Sequence, residues 1–143
     1  MTIAIRELSI GDTLMLEELL DAVTPGWRNA LAPGASGPLA FIAEPRTFVF
    51  GAYVDNAPAG WLWGIHVRRP TGRLMTYVHE VDVVAEHRRR GVARLLVDAT
   101  LALARSGGSD RLWLVTDTAN GLYKTAGATR RDDEGQIVYS WDL

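Results

Sequence analysis

Val83-Val84-Ala85-Glu86-His87-Arg88-Arg89-Arg90-Gly91-Val92-Ala93-Arg94-Leu95-Leu96 runs from an apolar strand through a basic loop into a helix. Val92, Leu95, Leu96, Ala99 and Leu103 recur at helical spacing, which predicts a helix from Gly91 to Arg105 with one apolar face. Ser106-Gly107-Gly108 ends it. The first N–H groups of such a helix have no backbone partner, and the helix dipole places its positive end there. Gly91 has no Cβ to hold a ligand off the backbone, and the small Ala93 keeps the same surface low. With Arg88, Arg89 and Arg90 alongside, the segment is an anion site suited to a pyrophosphate. It matches neither Gly-x-x-x-x-Gly-Lys-Ser/Thr nor Gly-x-Gly-x-x-Gly, which excludes two common phosphate-binding loops.

Working outward, Met75 to Val84 reads as a strand, joined by the turn Arg69-Pro70-Thr71-Gly72 to another, Trp61 to Val67. Asp55-Asn56-Ala57-Pro58 joins that strand to Phe48 to Val54. Connections this short make the three consecutive strands antiparallel. Downstream, Arg111 to Thr116 is a strand, so residues 76–116 form a β-α-β unit with parallel pairing. A short helix over Asn120 to Ala126 stops at Gly127, and two strands follow, near Thr129 and from Gln136 to Trp141. At the other end, residues 2–8 alternate as a first strand. Asp12 then precedes Leu14, Leu16, Leu19, Leu20 and Val23, an N-cap and an apolar helical stripe. Residues 24–40, rich in Gly, Pro and Ala, predict a loop with one short helix at Trp27 to Leu31. The fold class is α+β: a mixed, mostly antiparallel sheet with helices on both faces, in a single domain over residues 1–143.

A chain of 143 residues buries one core, hiding roughly 70% of the surface its unfolded form exposes. The absence of cysteine excludes disulfides, a cysteine nucleophile and a thiolate zinc site, and suits a reducing cytoplasm, the expected compartment. No basic segment followed by an apolar stretch opens the chain, and no apolar run approaches the ~20 residues of a membrane span, so no membrane partner is expected. A net charge of −2 argues against general nucleic-acid binding and tolerates a cationic substrate. His66, His79 and His87 show no metal-ligand spacing, so no metal is expected.

Arg88-Arg89-Arg90-Gly91-Val92-Ala93 resembles the Arg/Gln-x-x-Gly-x-Gly/Ala loop of the GNAT superfamily of N-acetyltransferases, which binds the coenzyme A pyrophosphate through backbone amides. Leu122-Tyr123-Lys124-Thr125-Ala126-Gly127-Ala128 resembles the Leu-Tyr-x-x-x-Gly-Phe signature, with Ala128 in place of the aromatic. The resemblance covers most of the chain and is closest over residues 41–143. Gly60 to Leu62 and Glu80 to Ala93 look most like the type I aminoglycoside 3-N-acetyltransferases. The resemblance implies acetyl-CoA as co-substrate and a primary amine as acceptor, on a small cationic molecule such as an aminoglycoside. It also implies residue roles. Arg88, Arg89, Arg90, Gly91, Val92 and Ala93 bind the pyrophosphate, Val83 and Val84 offer backbone groups to the pantetheine arm, and Asn120 contacts the cofactor. Relatives place about one more helical turn between the asparagine and Leu-Tyr than Asn120-Gly121-Leu122-Tyr123 does, which slides Tyr123 along the axis.

Acetyl transfer to an amine requires a base for the amine proton, stabilisation of the developing oxyanion, and a proton for the leaving thiolate. Strand alternation places Val78, Glu80, Asp82 and Val84 on one face and Tyr77, His79, Val81 and Val83 on the other. Glu80 is the expected general base, at the position where the aminoglycoside-type relatives carry an acidic residue. Asp82 and His79 are the alternatives. Tyr123 is the expected general acid, since a phenol of pKa ~10 suits protonation of a thiolate. Trp61 and Trp63 share a strand face with Ile65 and Val67 and read as core packing, and Asp132-Asp133-Glu134 reads as a solvated acidic turn. The strand around Ile137, Val138 and Trp141, read as an apolar edge, predicts a homodimer. Two other functions stay open: a protein or peptide N-acetyltransferase, and a non-catalytic acyl-CoA-binding module.

Overall fold

Four strands, β1 (Ile3–Leu8), β2 (Thr47–Val54), β3 (Ala57–Arg68) and β4 (Leu74–Val83), lie side by side, each antiparallel to the next. β5 (Ser109–Thr116) joins β4 in parallel, and β7 (Gln136–Asp142) inserts between β5 and β6 (Thr129–Asp133), antiparallel to both. The computed structural model describes residues 1–116, 121–133 and 136–143. The α+β class and the β-α-β unit are those read from the sequence, with α3 (Val92–Ser106) as the crossover.

Local chemistry explains the tightest connection. Asp55 and Asn56 take φ of 48° and 68°, the left-handed pair of a two-residue hairpin, which Asx side chains tolerate. β3 therefore begins at Ala57, four residues ahead of the expected Trp61. The sheet is covered on both faces. One face packs on α3 through Leu62, Val78, Val92, Leu96, Leu101 and Leu112. The other packs on α1 (Thr13–Val23) through Leu16, Leu19, Val49, Tyr53 and Trp61. Each fully buried Leu of this kind contributes roughly 1.5–3 kcal/mol of transfer free energy.

Three expectations are corrected. β7 is not an edge: β5 and β6 flank it and Trp141 is buried, so the premise for pairing two copies through it fails. Residues 24–40 end in a second helix, α2 (Pro38–Ala43), with Pro38 at its first position, where the ring's fixed φ suits a helix start. The buried face of α3 is Val92, Leu96, Val97, Thr100, Leu101 and Ala104, whereas Leu95 is 40% exposed. Thr100 is buried because its hydroxyl donates to the Leu96 carbonyl at 2.9 Å, so a polar residue sits in the middle of the apolar stripe.

Candidate active site

The chemistry begins at an irregularity between β3 and β4. Trp63 pairs with Glu80 and the next residue, Gly64, pairs with Val78, so His79 is an extra residue on β4. A β-bulge of this kind breaks the alternation. Val78, Val81 and Val83 all pack toward α3, while Glu80 faces the α1 side. The His79 ring lies 4.6 Å from the Trp63 ring, so Glu80 and His79, expected on opposite faces, both meet Trp63. That is a correction to strict alternation.

Glu80 stands in the wall of a cleft of about 550 Å³ formed by α1, the Trp27–Ala30 turn, α2 and β3. Its Oε2 accepts a hydrogen bond from Trp63 Nε1 at 2.9 Å. Trp63 meets Phe41 edge to face at 5.2 Å and Trp61 at 6.4 Å. Trp27 closes the far side, its Nε1 donating to Asp21 Oδ1 at 2.8 Å with Arg28 over its ring. The Trp27 N–H and Arg28 hold the Asp21 carboxyl below its ordinary range. Trp61 and Trp63 therefore do more than fill the core: both line the cleft. Sequence reasoning did not find Trp27 and Phe41 as its walls, because neither lies on a periodic segment long enough to read.

A second opening lies at the end of β4. β4 and β5 pair from Leu74 to Val78 and from Ser109 to Leu114, then part, and β5 continues against β7. Among the described residues, His79 to Val83 have no β5 partner. Val83 N–H meets the Asp82 carboxylate at 2.8 Å, and its carbonyl accepts from Arg88 Nε at 2.9 Å. Val84 is committed otherwise, its N–H to the Ala59 carbonyl and its own carbonyl to His87 N–H. Val83, Arg88, Arg89, Gly91, Val92 and Ala93 surround a cleft of about 260 Å³ at the start of α3. Gly91 caps that helix at φ 85° and Arg89 takes φ 61°, and no side chain caps the first turn. A Cβ added at Gly91 would meet nothing within 4 Å, so the space before the first amides is open to an anion. Arg89 and Arg90 are exposed beside it.

Tyr123 belongs to α4 (Gly121–Thr125) and is 7% exposed, its ring 5.0 Å from Tyr139 and 6.3 Å from Trp141. Burial, and Tyr139 to a lesser degree, raise its pKa, so the phenol keeps its proton at neutral pH. It does not line the cleft that holds Glu80, and its neighbour Leu122 lines the opening at α3. Asn120 and Glu134 lie outside the described residues.

The family model described as the acetyltransferase (GNAT) family matches residues 14–128. No curated protein matches the chain. Among solved structures, the chain is similar to an aminoglycoside acetyltransferase from an uncultured soil metagenomic sample, at 19% identity and a TM-score of 0.79, over 100% of this chain and 98% of that one. It is similar to the PaiA N-acetyltransferase of Thermoplasma acidophilum in complex with coenzyme A, at 17% identity and a TM-score of 0.72, over 100% of both. It is also similar to NAA60 of Arabidopsis thaliana in complex with a bisubstrate analogue, at 15% identity and a TM-score of 0.69, over 99% and 98%.

Proposed function

The chain belongs to the acetyltransferase (GNAT) family, an acetyl-CoA-dependent N-acetyltransferase by that membership, and from this premise we propose that it acetylates the primary amine of a small molecule bound against Glu80. Acetyl-CoA supplies the acetyl group as an activated thioester. The carrying observation is Glu80 itself, a carboxylate oriented by Trp63 in the wall of a cleft sized for a small ligand. Glu80 takes the proton of the bound ammonium, so that the nitrogen lone pair is available where the carboxylate has oriented it. One ammonium and one thioester give one amide, one thiol and one released proton.

The residues at the other opening divide the cofactor's charge among them. Arg88 and Arg89 line the opening that takes the pyrophosphate, with Arg90 exposed next to them in sequence, and Gly91, Val92 and Ala93 give it backbone amides. Val83 offers the strand's backbone groups once the Asp82 and Arg88 side chains let go of them. Tyr123, kept protonated by burial, is the proton donor nearest to this reading. Aminoglycosides, the class named by the motif resemblance, enter as one arm of the test.

The test is thiol release from acetyl-CoA against a library of amines, repeated with Glu80→Gln. Gln keeps the shape and the Trp63 contact while removing the basicity, so turnover falls roughly 10²–10⁴-fold. The rise in Tm with acetyl-CoA survives, because the carboxylate is not among the residues at the α3 opening. Turnover at the parent rate in that variant removes Glu80 from the role.

A further inference from the structure

Among the described residues that line it, the cleft that holds Glu80 has one charged side chain and a great deal of apolar wall. Trp27, Phe41, Trp61 and Trp63 line it with Leu16 and Leu20. Among the described lining residues Glu80 is the only ionisable side chain, and Thr24 the only hydroxyl. The indole N–H groups are donors and accept nothing from an ammonium. Resting on the acetyltransferase reading, we propose that the acceptor is an arylalkylamine-type monoamine: one primary ammonium on an aromatic or otherwise apolar body.

A single ammonium meets a single carboxylate, with the indoles of Trp61 and Trp63 in the same cleft wall. An aromatic body fills the remaining volume against Trp27, Trp61 and Phe41, in offset or edge-to-face contact. A polycationic sugar fares worse on both counts. Its further ammonium groups leave water with no carboxylate to meet, and its hydroxyls are buried against hydrocarbon. A cleft selective for polyamines or aminoglycosides needs several acceptors, and this one offers a carboxylate and a hydroxyl.

The experiment measures kcat/KM by thiol release, using the full chain and acetyl-CoA with phenethylamine, tryptamine, spermidine, kanamycin and a short peptide. The two arylalkylamines are expected to exceed spermidine and kanamycin by about 100-fold, the scale on which an apolar pocket rejects an added polar group. Equal or better use of spermidine, kanamycin or the peptide overturns the inference and leaves the acetyltransferase reading standing. Thiol release with no amine, while acetyl-CoA still raises Tm, overturns both. Leu31→Asp supplies a second test. Leu31 lines the cleft and is 41% exposed, so a carboxylate there is tolerated by the fold. It is expected to raise the ratio of kcat/KM for 1,6-diaminohexane over hexylamine by about tenfold. An unchanged ratio overturns the single-carboxylate argument.

Discussion

Gly64 lies at the β3–β4 irregularity: a Cβ there would overlap the Tyr77 carbonyl oxygen and stand 3.0 Å from the Phe48 ring. Backbone cannot yield as a side-chain tip can. Gly64→Ala is therefore expected to cost about 3 kcal/mol, at the upper end of overpacking, and to lower Tm and turnover together. A Tm within a degree of the parent would show that the bulge is not held by this contact. Tyr123→Phe is a different kind of change. It keeps the ring against Tyr139 and Trp141 and removes only the phenolic hydroxyl. Turnover is expected to fall about tenfold with Tm nearly unchanged, and a parent-like rate would remove Tyr123 from proton donation. The sequence names Glu80 as a candidate, beside Asp82 and His79, and is silent about the geometry that surrounds it. Strict alternation puts Val78 on its face, and only the extra residue at His79 aligns Glu80 with Trp63.

Helix α3 carries the next prediction. Gly91 holds φ 85°, so Gly91→Val strains the helix start by about 1–2 kcal/mol and places methyl groups before the first amides. The parent is expected to gain stability from acetyl-CoA by mass action, about 2.7 kcal/mol at a hundredfold excess over Kd. The variant should melt lower on its own and show no further shift with acetyl-CoA. A full shift from its own baseline would place the pyrophosphate elsewhere. This element was legible from the residues, including its start at a glycine and its arginine-rich approach. Its buried face was not, because two apolar stripes overlap on it and the sheet selects the one containing Thr100. α2 was hidden for a simpler reason, since six residues are too few to express a period.

Across the sheet, His66, Thr76 and Ser109 form a hydrogen-bonded chain spanning β3, β4 and β5: Nδ1 to Oγ1 at 2.9 Å, then Oγ1 to Oγ at 2.6 Å. Thr76 and Ser109 are buried, and Phe48 stacks on the imidazole at 4.9 Å. Burial lowers the His66 pKa from 6.5 against a smaller opposing pull from Glu7. The unfolded chain then binds the proton first as pH falls. The stability from neutral His66 is complete above about pH 6.5 and is lost as pH drops toward the lowered folded value. Tm should therefore decline between pH 7 and 5 in the parent and decline less in His66→Gln; equal slopes would exclude His66 as the cause. The order β2-β3-β4 was legible from turn lengths, and the pairing of β5 with β4 from the helical crossover. The place of β1 beside β2 and the insertion of β7 beside β5 were not, because nothing local in a strand names such a neighbour. The parting of β4 from β5 has a consequence that amide hydrogen exchange would record as a two-residue rhythm. Val84 N–H points at β3, so by alternation the amides of Val81 and Val83 point into the gap. The Val81 amide should exchange fast beside protected neighbours and the Val83 amide less fast, held by the Asp82 carboxylate. Both should slow, leaving the rhythm erased, when acetyl-CoA occupies the fork.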